Sequence, residues 1–200
     1  MFVNLVAATN NAERIIELAA RISHDSSVKL GTDLKFLSKI IKLGHLSVLE
    51  HASATFHIRD ISRACSHQFV RHRQLSFVQK SQRYVKENDF KYVIPDSLNG
   101  NSDYLNLMQK IKFNYQALLV VDNISKQDAR FVLPNACVTE MIVSGNFRSW
   151  FEFLQKRLDK SSQWEIRELA KKIYCHLSLN SSIIFNKENL SNVTKFNLDI

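Results

Sequence analysis

Three observations predict an α+β fold in a single domain. Stretches with helical spacing of apolar residues are mixed with a few separated strand-like stretches, without a regular strand–helix alternation. No repeat, low-complexity block or long linker divides the 200 residues. Apolar residues make up 45% of the chain and include 13 phenylalanines, enough for one substantial core.

The elements follow in order. "FVNLVAAT" is β-rich and loosely alternating, which predicts a first strand. Asn10 or Asn11 can cap a helix through "AERIIELAARIS", whose Ile15, Ile16, Leu18, Ala19 and Ile22 recur at helical spacing. A second helix, "TDLKFLSKIIKL", starts at Thr32 or Asp33, carries Leu34, Leu37, Ile40, Ile41 and Leu43, and stops at Gly44. "SATFHIRDIS" alternates as a strand, and "SRACSHQFVRHR" returns to helical spacing. "QLSFVQKSQRY" reads as extended. Residues 86–103 are polar, contain Pro95 and Gly100, and predict a connecting loop. A long helix, "YLNLMQKIKFNYQALLVVDN", comes next. "ARFVLPNA" is extended up to Pro134, and "VTEMIVSGN" is a strand. "FRSWFEFLQKRL" and "WEIRELAKKIYCHLSL" are closing helices, followed by a weakly structured tail after about residue 186, all within one domain spanning residues 1–200.

The net charge is +8, pointing to anionic partners. Residues 61–91 hold seven arginines and lysines against two acids, a net +5. The four glycines are isolated, so neither GxGxxG nor a P-loop is present and phosphates must be met by side chains. No HExxH occurs, His45/His51 and His67/His72 are poorly spaced for one helical face, and no metal is expected. Cys65, Cys137 and Cys175 form no CxxC pair, and each sits in an apolar pattern that predicts a buried thiol in a reducing, cytoplasmic setting. The N-terminus lacks a basic segment ahead of an apolar run, and no run approaches the roughly 20 residues a bilayer requires, so no membrane partner is expected.

"RHRQLSFVQKSQRY" (71–84) concentrates this charge. If the preceding helix continues, Gln68, Arg71 and His72 share a face while Arg71 and Arg73 diverge; alternatively the helix ends there. Arginine forks bind phosphate bidentately and serine hydroxyls complete such a cradle. A solvated basic helix end is the plainer reading of the charge alone.

The stretch resembles the RHRxxSxNxxSxR signature of flavin-dependent thymidylate synthases, matched by Arg71, His72, Arg73, Ser76, Ser81 and Arg83, with Val78 in place of the asparagine. "HLSVLEH" (45–51) is similar to the family's H-x-[ST]-x-x-E-H element, "ARFVLPNA" to its R-x-[VL]-L-P segment, and "GNFRSWFEFLQKRLDKSSQWEIRELA" to its C-terminal block. The resemblance covers roughly residues 45–170. It implies conversion of dUMP to dTMP with a one-carbon unit from 5,10-methylenetetrahydrofolate and a hydride from FAD reduced by NADPH, without an enzyme nucleophile. It further implies an α+β subunit with a small mixed or antiparallel sheet packed by helices, assembled as a homotetramer whose active sites draw on several chains.

By the same resemblance, Arg71, His72 and Arg73 contact FAD, with Ser47 and Gln79 nearby and Asn146 and Arg148 at its adenosine and pyrophosphate. Asn146, just ahead of a helix, also suits an N-cap. Gln68, Arg71, Gln79, Ser81, Gln82, Arg83 and Arg130 meet dUMP; Arg130 as a surface arginine is the alternative. His45 lies near flavin and folate, and Ser76 caps the turn. Arg157 is the principal catalytic residue, a cation against the uracil ring that favours ionisation at N3; a surface partner for a neighbouring acid is its alternative. Val78, Ser161 (where many members have histidine) and Glu152 (where some have an amide) depart from the pattern. A rival class, a nucleic-acid-binding protein, would stack bases on Phe77, Tyr84, Phe90 and Tyr92, but no recognition motif accompanies them. A flavoprotein of this fold without synthase activity is a third reading.

Overall fold

The computed structural model describes residues 1–23, 25–31 and 35–192. Four antiparallel strands form one sheet in the order β1 (Phe2–Ala8), β2 (Ser53–Ser62), β4 (Val138–Asn146), β3 (Ser76–Gln79). All neighbours pair antiparallel, with Phe56 opposite Leu5 and Val143, and Phe77 opposite Val143. A bulge between Arg59 and Ile61, with Asp60 at φ 57°, turns the end of β2 so that Ile61 and Ser62 both face inward.

Helices α1 (Ala12–Ile22), α2 (Lys35–Lys42), α3 (Arg63–Phe69), α6 (Phe147–Arg157), α7 (Trp164–Asn180) and α8 (Lys187–Asn192) enclose a core with one sheet face. At its centre Trp150 stands edge-on to Phe56 at 5.0 Å and donates Nε1–H to the Ala54 carbonyl at 3.0 Å. Phe69 and Phe153 close the cluster at 4.9 Å. Burying rings of this size stabilises by about 2–3 kcal/mol each. α4 (Ser102–Val120) and the short α5 (Lys126–Ala129) form a flank.

The predicted strands and long helices are present, with six differences. The stretch expected to be extended over 74–84 is a strand only from Ser76 to Gln79, and Ser81–Val85 close a turn through amide bonds to the Ser81 carbonyl. The predicted helix over 63–73 ends at Phe69, which puts Arg71, His72 and Arg73 on a turn. "ARFV" is not extended: α5 runs into a 3₁₀ turn over Arg130–Val132, and the chain extends only from Leu133. Asn11 precedes α1 at φ 52° and makes no side-chain cap. On α1 itself, Ala12, Ile16 and Ala20 are buried while Ile15, Leu18 and Ile22 are exposed, because the helix carries two apolar faces and this chain covers one. Residues 187–192 form α8, anchored by buried Leu190, where a loose tail was expected; the rest of that expected tail, 193–200, lies outside the described residues. Thr32, Asp33 and Leu34, the expected start of α2, lie outside the described residues; Gly44 ends that helix at φ 81°, as its missing Cβ permits. Among the described residues, no helix is long and apolar enough to cross a membrane.

Candidate functional site

The turn after α3 lies along α6. Ser149 Oγ, in the first turn of α6, donates to the Gln74 carbonyl at 3.3 Å. Further along, His72 stands edge-on to Phe153 at 5.0 Å and meets Arg157 at the helix end. Gly145 permits this seating, since a Cβ there would come 2.3 Å from Leu75 Cδ2. Asn146 caps α6 by accepting from the Ser149 amide at 2.8 Å, as its N-cap reading predicts.

At the C-terminal end of α6, Arg157 is half-buried. Its Nε donates to His72 Nε2 at 2.9 Å, and Nη2 donates to the Gln68 carbonyl at 3.2 Å. Among the described residues no carboxylate pairs with it, and burial lowers its pKa. His72 is pulled down to about 4 by burial first, then by the charges of Arg157 and Lys156, so its ring is neutral. A cleft of about 720 Å³ opens here, lined by Gln68, Glu152, Lys156, Arg157, Ser161 and Gln163 among others. Arg71 and Arg73 are exposed, with no side-chain partner among the described residues.

At the other end of α6, Arg148 sits between two carboxylates, Glu50 at 2.7 Å and Glu152 at 3.0 Å, which raise its pKa. Ser47, His45 and Glu50 line a hollow of about 370 Å³ against α1. The 71–74 turn is tied to the start of α6 by the Ser149–Gln74 bond, and Arg148 ties the same helix end to Glu50 of the segment bearing Ser47.

A second basic corner forms at the start of α3. Ser81, Gln82 and Arg83 follow β3; Gln82 Nε2 reaches Cys137 Sγ at 3.5 Å, Ser81 Oγ accepts from the Arg83 amide at 3.3 Å, and Arg83 lies 5.4 Å from the Tyr84 ring. Arg130 stands close enough to Arg63 to lower the pKa of Arg63, though burial does so more. Arg63 donates Nη2–H to the Lys80 carbonyl at 2.9 Å, and its buried Nε has no partner among the described residues. Sequence reasoning counted Arg63 only as charge, and no local pattern marked its partial burial. Gln79 is already engaged, donating to Ser66 Oγ at 3.0 Å and Thr139 Oγ1 at 3.1 Å. Gln68, Arg71 and Arg157 are thus separated from Ser81, Gln82, Arg83 and Arg130 by the length of α3, about 10 Å for seven residues.

Glu165 fixes this frame. Buried at the start of α7, it accepts from the Ser62 amide at 2.7 Å and the Ser62 hydroxyl at 2.5 Å, while Ser62 Oγ accepts from the Cys65 amide at 2.9 Å. Ser76 heads β3, and its side chain makes no capping hydrogen bond among the described residues. Of the three thiols, Cys65 and Cys137 are buried as predicted, but Cys175 is exposed on the outer face of α7. Burial pushes the Cys65 thiol up, and that of Cys137 up to about 11, so neither is an activated nucleophile. The aromatic stack a nucleic-acid reading needs is not assembled: Phe90 is buried, Phe77 packs edge-on to Phe69 at 5.2 Å, Tyr92 is half-buried, and Tyr84 alone is exposed.

The chain is similar to known proteins in both sequence and fold. Residues 4–179 match the family model described as thymidylate synthase complementing protein. A flavin-dependent thymidylate synthase of Geobacter sulfurreducens is 42% identical over 85% of this chain and 79% of its own length. Similarly named proteins of Mycobacterium avium and Mycobacterium tuberculosis are 38% and 36% identical over 78% and 86% of this chain, and 71% and 77% of theirs. The fold is shared with a crystal structure of thymidylate synthase X (ThyX) from Helicobacter pylori with FAD and dUMP. That match has a TM-score of 0.81 at 24% identity, over 95% of this chain and 99% of the other.

Proposed function

The chain belongs to the flavin-dependent thymidylate synthase family, and from that premise we propose that it methylates dUMP reductively to dTMP. FAD, reduced by NADPH, would supply the hydride, and 5,10-methylenetetrahydrofolate the one-carbon unit. The observation that carries this reading is Arg157: a half-buried guanidinium held by neutral acceptors on the wall of a 720 Å³ cleft, with its charge uncompensated.

The residues present suit a flavin dinucleotide. Arg71, Arg73 and Arg148 offer guanidinium forks to a pyrophosphate where no glycine loop exists, and Asn146 and Ser47 lie on the segments so tied together. His72 sits on the same turn as Arg71 and Arg73. Val78 is exposed on β3, so the missing asparagine leaves no buried gap.

For the nucleotide, Ser81, Gln82, Arg83 and Arg130 would hold the phosphate and sugar, with Gln79 fixing the β3 end through Ser66 and Thr139. Gln68, Arg71 and Arg157 would meet the pyrimidine. Arg157, placed where negative charge develops as N3 loses its proton, would lower the cost of activating the ring. The raised thiol pKa values accord with a route that uses no enzyme nucleophile.

A homotetramer, as the resemblance implies, would complete each site with residues of neighbouring chains. Exposed Phe113, Val120, Val121, Phe131 and Leu179 give such an assembly apolar surface to bury. Light scattering on a sizing column would read this directly; a monomer that turns over would overturn it.

The decisive experiment is the visible spectrum of the purified protein with and without dUMP, followed by NADPH oxidation with methylenetetrahydrofolate. A flavin band near ~450 nm that shifts with dUMP, and NADPH consumption dependent on dUMP, are expected. A yellow protein whose NADPH consumption ignores dUMP would favour a flavoprotein without synthase activity. A colourless protein that takes up no FAD would return the nucleic-acid reading.

A further inference from the structure

A long arginine side chain gives up about 2 kcal/mol of rotamer entropy when its head is fixed, and proteins commonly recover this with a carboxylate. Arg148, on the same helix, is held that way. Arg157 is not. Its two partners among the described residues are an imidazole nitrogen and a backbone carbonyl, which fix direction without cancelling charge. Nη1 has no hydrogen-bond partner among the described residues.

The imidazole is itself preset. Its turn is tied to α6 through Ser149 and Gln74, its approach needs Gly145, and its ring stands at 78° to Phe153, one helical turn before Arg157. An Nε2 that accepts from Arg157 places the ring's single proton on Nδ1. Burial and the neighbouring cations keep a second proton off at physiological pH.

We infer that His72 is a positioning residue for the pyrimidine step: its neutral imidazole fixes Arg157 by Nε and leaves the outer guanidinium nitrogen to the substrate. This rests on the proposed role of Arg157, and it differs from the flavin contact that resemblance implies for His72. An acidic residue in its place would orient the guanidinium equally well and quench the charge that the reaction draws on.

Three variants test this: His72→Phe, which keeps a ring but no acceptor; His72→Gln, which restores an acceptor; and Arg157→Ala. Each is assayed for flavin content, dUMP affinity by flavin perturbation, kcat and KM. The Arg157 Nε–H resonance in 15N NMR of the flavin-free protein reports the hydrogen bond itself. His72→Phe is expected to lose the protected Nε–H signal and, when saturated with added FAD, to lose about 10- to 100-fold in kcat with little change in the KM for dUMP. His72→Gln should recover to within about fivefold of the parent. A His72→Phe enzyme with parental kcat, or a loss traced wholly to missing flavin, would overturn the inference. Arg157→Ala with retained turnover would instead overturn the proposed role of Arg157, so the two failures are told apart. Should His72→Phe not fold, a parental and a His72→Gln spectrum that both lack a protected Nε–H would overturn it equally.

Discussion

The two ends of α6 treat an arginine in opposite ways. At its start, Arg148 is solvent-facing and gripped by Glu50 and Glu152, which raise its pKa and neutralise its field. At its end, about 14 Å away by helical rise, Arg157 is half-buried, held by His72 and the Gln68 carbonyl, and its pKa is lowered by burial. An exposed cation with counter-ions can exchange them for a ligand phosphate at little cost. A buried cation held by neutral partners stores electrostatic free energy that an anionic ligand or transition state releases. The first arrangement suits reversible binding and the second suits catalysis.

Removing each arginine in turn should produce the widest separation. Arg157→Ala is expected to lower kcat by about 10²–10³, the scale for losing one preorganised charge. Arg148→Ala should weaken flavin binding by roughly tenfold yet leave kcat of the FAD-saturated enzyme within about threefold. Steady-state kinetics at saturating FAD would erase the contrast if the two variants behaved alike.

The frame behind Arg157 comes next. Glu165→Ala strips the partner from the Ser62 amide and hydroxyl, both buried, and should cost about 2 kcal/mol, or roughly 5 °C in Tm. A scanning-calorimetry shift below about 1 °C would mean that α3 and α7 are held together by apolar packing alone.

A smaller effect distinguishes the two ends by pH. His72 has its folded pKa pulled to about 4 from the usual 6.5, so below that usual value the unfolded chain takes up a proton that the folded chain refuses. Its contribution to stability is therefore whole above pH ~6.5 and declines as pH falls towards 4. Discounted for partial exposure, the parent should lose about 1 kcal/mol more than His72→Gln between pH 7.5 and 5. Parallel urea midpoints for the two proteins would contradict this.

The slightest change is expected at the exposed end. Glu152→Gln removes one of two counter-ions from Arg148, worth about 0.3–0.5 kcal/mol for an exposed helical pair. Flavin affinity should rise by about twofold, measurable by fluorescence titration. A loss of affinity would show that Glu152 serves the cofactor rather than competing with it.

Legibility differed along the chain for physical reasons. Period-two patterns such as "VTEMIVSGN" and "SATFHIRDIS" revealed both central strands, because one face of each is packed and the other is not. "RFV" before Leu-Pro looked extended, yet a short helical turn over Lys126–Ala129 carries into it, and no periodicity can be read from four residues. On α1, spacing marked Ile15, Leu18 and Ile22 as an apolar stripe, but spacing cannot say whether the same chain covers the stripe, and here it does not. The arginines of the signature were visible by type and order. Their division between the two ends of α3 was not, since the helix stops at Phe69 rather than running through Arg73.

By itself the sequence determined the α+β class, the family, the absence of a glycine phosphate loop and the identity of the cations, because these depend on local periodicity and on residue chemistry at short spacing. The tertiary structure alone decided which cation keeps its charge. Arg148 and Arg157 are equally basic and nine positions apart, and what separates them is the company brought from distant segments: Glu50 to one, His72 and the carbonyl of Gln68 to the other. Electrostatic character depends on burial and on neighbours within a few ångströms, and those neighbours are set by folding rather than by adjacency in the chain.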